Sequence, residues 1–276
     1  MVALENLGIV FIAGLLTALA TGLGALPFFL FDDISTRWNV VLWGLASGIM
    51  LSASLFGLVM EGVAVVEGTW VDVAVAIGPG VLAGVALVIV GHEVLEGASI
   101  NPREYEEADF KKLVLVLGIL TVHSFPEGVA VGVAFAELGL ENVPAADTLV
   151  IGGLTLPVLA VFMTIAISIH NVPEGVATSI PLRAMGVSEW RMVWWAVFSS
   201  LPQPIGAVIA YYFVTLARQF LPFGFGFAAG AMVYLVVTEF IPEALSNGAE
   251  LPRGGRPELT AGLVVGVAVM IPLAFI

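Results

Sequence analysis

His123-Ser124-Phe125-Pro126-Glu127-Gly128-Val129-Ala130 and His170-Asn171-Val172-Pro173-Glu174-Gly175-Val176-Ala177 spell one pattern twice. Each copy lies inside a long apolar run, so each sets ionisable groups at the depth of a bilayer's hydrocarbon. Such groups are costly there and mark function. In a helix, His and Glu at i and i+4 stand one turn apart on one face. Imidazole nitrogen with carboxylate oxygen is a ligand set for Zn²⁺, Fe²⁺, Mn²⁺ or Co²⁺. The proline of each copy removes a donor and pushes away the carbonyl four residues back, here those of Val122 and Ile169. Gly128 with Gly132, and Gly175 with Ser179, make small-xxx-small pairs through which neighbouring helices approach closely. One buried His–Glu pair is readily a satisfied polar contact in a bundle. Two copies with the same proline and glycine point instead to a metal site, with His123, Glu127, His170 and Glu174 as candidate ligands.

The surrounding chain is apolar enough to house such a site in a membrane. Of 276 residues, 59% are hydrophobic and 11% charged, against about a quarter charged in soluble domains; the mean hydropathy is +1.06. Runs able to span a bilayer fall at 7–30, 39–66, 71–95, 113–136, 149–181, 192–216, 223–245 and 259–276. The expected fold is therefore all-α and polytopic, with eight transmembrane helices in one domain, 1–276, and the lipid bilayer as its surroundings. The fifth run is over-long, and its helix is expected to begin near Pro157. The first run lacks the basic segment and cleavage site of a signal peptide and reads as a retained helix. There is no cysteine, which excludes disulfides and thiolate ligands and argues against a Cu(I) site. The net charge of −13 goes with no nucleic-acid partner.

Orientation follows from the basic residues. With eight spans both termini share a side. Arg37, Arg103, Lys111, Lys112, Arg183, Arg191, Arg253 and Arg256 fall on the opposite side, and only Arg218 on the side of the termini. The positive-inside rule then puts both termini outside the cell membrane. Outer segments carry Glu5, Glu67, Asp72, Glu137, Glu141 and Asp147, either ordinary solvated loops or a surface that gathers cations.

An internal repeat runs at an offset of 182 residues. Ala46-Ser47-Gly48-Ile49-Met50 matches Ala228-Ala229-Gly230-Ala231-Met232, Glu61 falls on Glu243, Gly84-Val85-Ala86 on Gly266-Val267-Ala268, and Leu23-Gly24-Ala25 on Ile205-Gly206-Ala207. Expected helices 1–3 thus pair with helices 6–8 as an inverted repeat around helices 4 and 5, an arrangement typical of secondary transporters. Of the remaining intramembrane ionisable residues, His92 and Glu93 stand near the inner end of helix 3. Glu239 and Glu243 stand toward the inner end of helix 7, and Glu61 toward the outer end of helix 2. Individually each reads as an interfacial group; together they could line a path for an ion.

With these motifs the chain resembles the ZIP (zinc/iron-regulated transporter-like) family, and the prokaryotic permeases most of all. The carriers are HSFPEG at 123–128, HNVPEG at 170–175, SLPQPIGA at 200–207 and GAMVYLVVTEFIPEA at 230–244. The resemblance implies an eight-helix fold, divalent-metal uptake into the cytoplasm, a homodimer, and a metal centre built from helices 4, 5 and 6. Zinc is the foremost substrate; iron, manganese, cobalt and cadmium are the others. It makes His123, Glu127, His170 and Glu174 ligands and gives Ser124 and Asn171 second-site positions. The family commonly has Asn in place of Ser124 and Glu in place of Gln203, and a second ion beside the first would have Ser124, Asn171 and Gln203 as its remaining, neutral ligands. The 3–4 loop, often long and His-rich in relatives, is short and without His here.

The leading reading is a permease with no cofactor beyond its transported metal. Its rival is an intramembrane zinc-dependent hydrolase, needing an open metal position for water and a general base. No HExxH occurs, and carboxylates spread across the membrane would have no catalytic task.

Overall fold

The computed structural model describes residues 3–31, 33–97, 118, 123–140 and 143–273. The helical segments are α1 (Leu4–Leu23), α2 (Thr36–Ser52), α3 (Met60–Ala64), α4 (Trp70–Gly97), α5 (123–134), α6 (Val158–Ala184), α7 (Glu189–Ser199), α8 (Pro202–Leu216), α9 (Leu221–Leu235), α10 (Ile241–Asn247) and α11 (Arg256–Leu273). A π-helical stretch, Ala53–Val59, joins α2 to α3, and another, Val236–Phe240, joins α9 to α10. Among the described residues seven helical stretches are long and apolar enough to cross a membrane. The first part of the fourth expected run, the 96–112 loop apart from Glu96 and Gly97, and the Val122 carbonyl lie outside the described residues.

Two helix pairs form the flanks, α2 with α11 and α4 with α9, while α1 packs on α6, α7 and α8. Glycine sets how close they come. A Cβ on Gly44 or Gly48 would strike the carbonyls of Leu259 and Leu263, and one on Gly262 or Gly266 those of Val41 and Leu45. On the other flank, Gly80 and Gly84 meet the carbonyls of Phe223 and Phe227, and Gly226 and Gly230 those of Ile77 and Val81. All four contacts of one seam map onto the other at the 182-residue offset, glycine to glycine and carbonyl to carbonyl. Such backbone-to-backbone seams are how helices gain dispersion contacts where lipid supplies no hydrophobic drive.

The site-bearing helices follow the same rule. Gly175 of α6 lies on the Thr21 carbonyl of α1, and Gly24 on that of Val172. Gly128 of α5 lies on the Gln203 carbonyl of α8, and Gly206 on that of Phe125. Residues 128 and 175 hold the same place in the two HxxPEG copies, and positions 21 and 203 are again 182 apart.

Two features differ from the sequence reading. The fold is mostly helical but not all-α: Thr148–Ile151 and Leu154–Pro157 pair as an antiparallel hairpin before α6 starts at Val158. Gly152 and Gly153, at φ 59° and 84°, supply the two left-handed residues of a tight two-residue hairpin turn. The strands they join contain the β-branched Thr148, Val150, Ile151 and Thr155. The hydropathy of this stretch hides the change because its apolar residues continue without a break into the helix. The sixth run is interrupted: α7 ends at Ser199 and α8 restarts at Pro202, where a proline in the first turn costs no hydrogen bond.

Candidate metal centre

Glu127, His170 and Glu174 meet between α5 and α6. All three are essentially without solvent exposure, and one potential ligand atom of each lies within a common 4.8 Å. His170 Nε2 stands 3.4 Å from Glu127 Oε1 and 3.8 Å from Glu174 Oε2. Ligands on a tetrahedral zinc with bonds of about 2.1 Å lie about 3.4 Å apart, so one ion fits this spacing. α6 runs unbroken through Pro173, and the i, i+4 spacing of His170 and Glu174 puts both on its inner face.

Hydrogen bonding decides what the group wants. His170 Nδ1 lies 3.2 Å from the Ala46 carbonyl. A carbonyl only accepts, so Nδ1 carries the proton and donates, and in the neutral ring Nε2 presents its lone pair to the carboxylates. A backbone carbonyl behind a ligating imidazole is the usual orienting partner in metal sites. Glu127 Oε1, His170 Nε2 and both Glu174 oxygens have no hydrogen-bond partner among the described residues. Buried acceptors facing one another without a donor are unfavourable by about 1–3 kcal/mol each. A proton on Nε2 relieves part of this; a divalent cation at the common point would meet one acceptor of each residue.

A chain of amides fixes the far side of Glu127. Gln203 Nε2 donates to Glu127 Oε2 at 2.6 Å, and Asn171 Nδ2 donates to Gln203 Oε1 at 3.0 Å. Asn171 Nδ2 also donates to the Thr17 carbonyl at 2.7 Å. Gln203 and Asn171 are fully buried, and the relay leaves Glu127 Oε1 turned toward His170. Ser124, beside His123, is likewise fully buried.

His123 goes elsewhere. Its Nε2 lies 2.7 Å from Glu239 Oε2, and His92 Nε2 lies 2.8 Å from Glu239 Oε1, with the two imidazole nitrogens 3.3 Å apart. The structure therefore brings together three of the four HxxPEG residues and sets the fourth in a second group with His92 and Glu239. One turn separates His123 from Glu127 on α5; the first faces the π-helical stretch before α10, the second faces α6. In this second group each Glu239 oxygen lies beside an imidazole nitrogen, Oε1 without a hydrogen bond among the described residues, and His92 and Glu239 are partly exposed. Phe240, the residue after Glu239, lies against both groups: its ring is parallel to that of His170 within 9° at 5.5 Å, and 6.0 Å from that of His123.

The remaining candidates are dispersed. Glu61 lines a cavity of about 450 Å³ with Glu137 and Asp147, walled by Gly57, Phe162 and Phe225. Glu93 is exposed. Glu243 is exposed and accepts from Asn247 Nδ2 at 3.2 Å. Phe240 and the Ala46 carbonyl were not legible as site components, since neither carries a charge or sits in the repeated motif.

Comparison with known proteins bears on the family of the chain. The ZIP zinc transporter family profile matches residues 145–274. Zinc transporter GufA of Myxococcus xanthus is 31% identical over 267 residues, 95% of this chain and 96% of that one. Zinc transporter ZIPB of Bordetella bronchiseptica is 34% identical over 269 residues, 91% of this chain and 76% of that one. An Arabidopsis thaliana protein named for zinc transport is 38% identical over 234 residues; the match covers 84% of this chain but only 34% of that longer protein.

Proposed function

This chain belongs to the ZIP zinc transporter family, and we propose that it carries zinc into the cytoplasm through the Glu127–His170–Glu174 group. Family membership sets the hydrolase reading aside. The observation that carries the proposal is the set of buried acceptors that face one another without a donor. The protein's interior supplies ligands and leaves the cation to come from outside.

Around that centre the other candidates fall into an order. Glu61, Glu137 and Asp147 form the outer approach, a cavity whose carboxylates raise the local concentration of cations. The group of His92, His123 and Glu239 is the inner relay, which accepts the ion after the buried centre. Asn171 and Gln203 hold Glu127; Ser124 stands beside His123. Glu93 and Glu243 mark the inner surface. The full architecture is eight spans in one domain, 1–276, with both termini outside the plasma membrane, working as a homodimer. The residue-for-residue match of the two glycine seams supports the inverted repeat of helices 1–3 with 6–8.

Reconstitution tests the function. Proteoliposomes holding the full chain should accumulate radioactive zinc, and His170→Ala should abolish this while the protein stays folded. Uptake by His170→Ala equal to that of the unmodified protein would remove the centre from the route.

A further inference from the structure

Phe240 stands where the two groups of ligands adjoin. Its side chain is fully buried. One face is stacked on His170 at 5.5 Å, the ring lies 6.0 Å from that of His123, and Trp43 meets it edge-on at 5.0 Å. His170 belongs to the buried centre and His123, itself buried, to the group whose other members are partly exposed, so a single apolar ring touches one ligand of each. Phe240 also closes the π-helical stretch Val236–Phe240. Such stretches are rare and recur at functional sites.

From this arrangement we infer that Phe240 is an aromatic gate between the buried metal centre and the His92–His123–Glu239 group. The inference rests on the transport reading of those two groups. A benzene ring offers no lone pair. A divalent ion moving past it loses ligands on that side, with a desolvation penalty that forbids passage while the ring is in place. The ring must therefore turn aside for the ion to cross. Glu239 and Phe240 are consecutive residues of one π-helical stretch. A change of register there moves the barrier and the receiving carboxylate together, so the gate opens as the next ligand shifts. Trp43 and His170 fix the closed position from opposite elements, α2 and α6.

The test uses the full chain, loaded with radioactive zinc in detergent and then mixed with excess chelator, alongside zinc and magnesium entry into proteoliposomes. Phe240→Ala should release bound zinc about tenfold faster than the unmodified protein. It should admit magnesium, which the closed gate excludes, and its zinc entry should lose saturation. Phe240→Leu keeps an apolar side chain without the ring; it should release zinc at an intermediate rate, and it decides the question if Phe240→Ala fails to fold. A merely structural Phe240 would lower the melting temperature of both variants without changing release rate or magnesium exclusion, and that result would overturn the gate. Failure of the unmodified protein to move zinc would count against the transport reading alone, because release in detergent still reports whether the ring holds the ion in.

Discussion

Gln203→Glu probes the balance of charge around Glu127. The Gln203 amide nitrogen now donates to Glu127 Oε2 at 2.6 Å. The substitution replaces this donor by a carboxylate oxygen at the same place, and keeps the acceptor that receives Asn171. Two carboxylates with charge centres about 4 Å apart repel by about 4 kcal/mol at an effective dielectric constant of 20. Without metal the variant must bear that cost or take up a proton. With metal it gains the anionic ligand that a second ion would need, since Glu127 and Glu174 alone cannot offset four positive charges. In chelator the variant should therefore melt well below the unmodified protein, and acidification should restore part of the loss by protonating one carboxylate. With zinc it should melt at or above the unmodified protein and hold two zinc ions per chain, against one tight ion in the unmodified protein. Melting in detergent with chelator or zinc, together with elemental analysis of the purified chain, gives the answer. An unchanged melting temperature in chelator with one zinc per chain would refute the reasoning. So would two equally occupied ions in the unmodified protein, because neutral amides would then suffice.

Further expectations concern ligands and backbone. Glu127→Ala and Glu174→Ala should each abolish zinc uptake into proteoliposomes, whereas Ser124→Ala should keep most of it. Zinc must displace protons from its ligands, so uptake should fall steadily as the medium is acidified with the protein still folded; a flat profile would argue against imidazole and carboxylate ligands. Gly175→Ala would drive a methyl group into the Thr21 carbonyl and should destabilise by about 1–3 kcal/mol or more. Gly8→Ala, with open space around its Cβ, should leave the melting temperature nearly unchanged. Arg253 has φ 59°, a non-glycine residue in the left-handed region. Arg253→Gly should stabilise by about 1 kcal/mol, read as a rise in melting temperature.

Much of this structure is legible from residue spacing. Among the described residues the seven helical stretches long and apolar enough to cross a membrane follow the apolar runs to within a few residues at most ends, because hydrocarbon thickness dictates such lengths. The 182-residue offset anticipates the two seams, since small residues are placed by what must lie against them. The buried centre is half legible. The i, i+4 rule puts His and Glu on one face of a helix, but α5 has two neighbours to serve. Nothing in the motif says that His123 turns to Glu239 while Glu127 turns to His170. The hairpin at 148–157 escapes hydropathy because its apolar strands merge with α6, though Gly152-Gly153 was the available signal. Phe240 escapes because packing and gating draw on the same residue type, and only coordinates show which ligands an aromatic ring separates.

The glycine seams also constrain the order in which the chain can settle during synthesis. Gly44 and Gly48 on α2 find their partners on α11, at the other end of the described chain. Until α11 emerges, Gly44 and Gly48 of α2 lack the backbone that lies against them in the finished fold. α4 likewise waits for α9. The first three spans can insert one by one, but they cannot reach their final packing before their counterparts arrive. A ribosome stalled before α11 would leave a half-assembled bundle with an open small-residue groove, a ready contact for chaperones or for quality-control proteases.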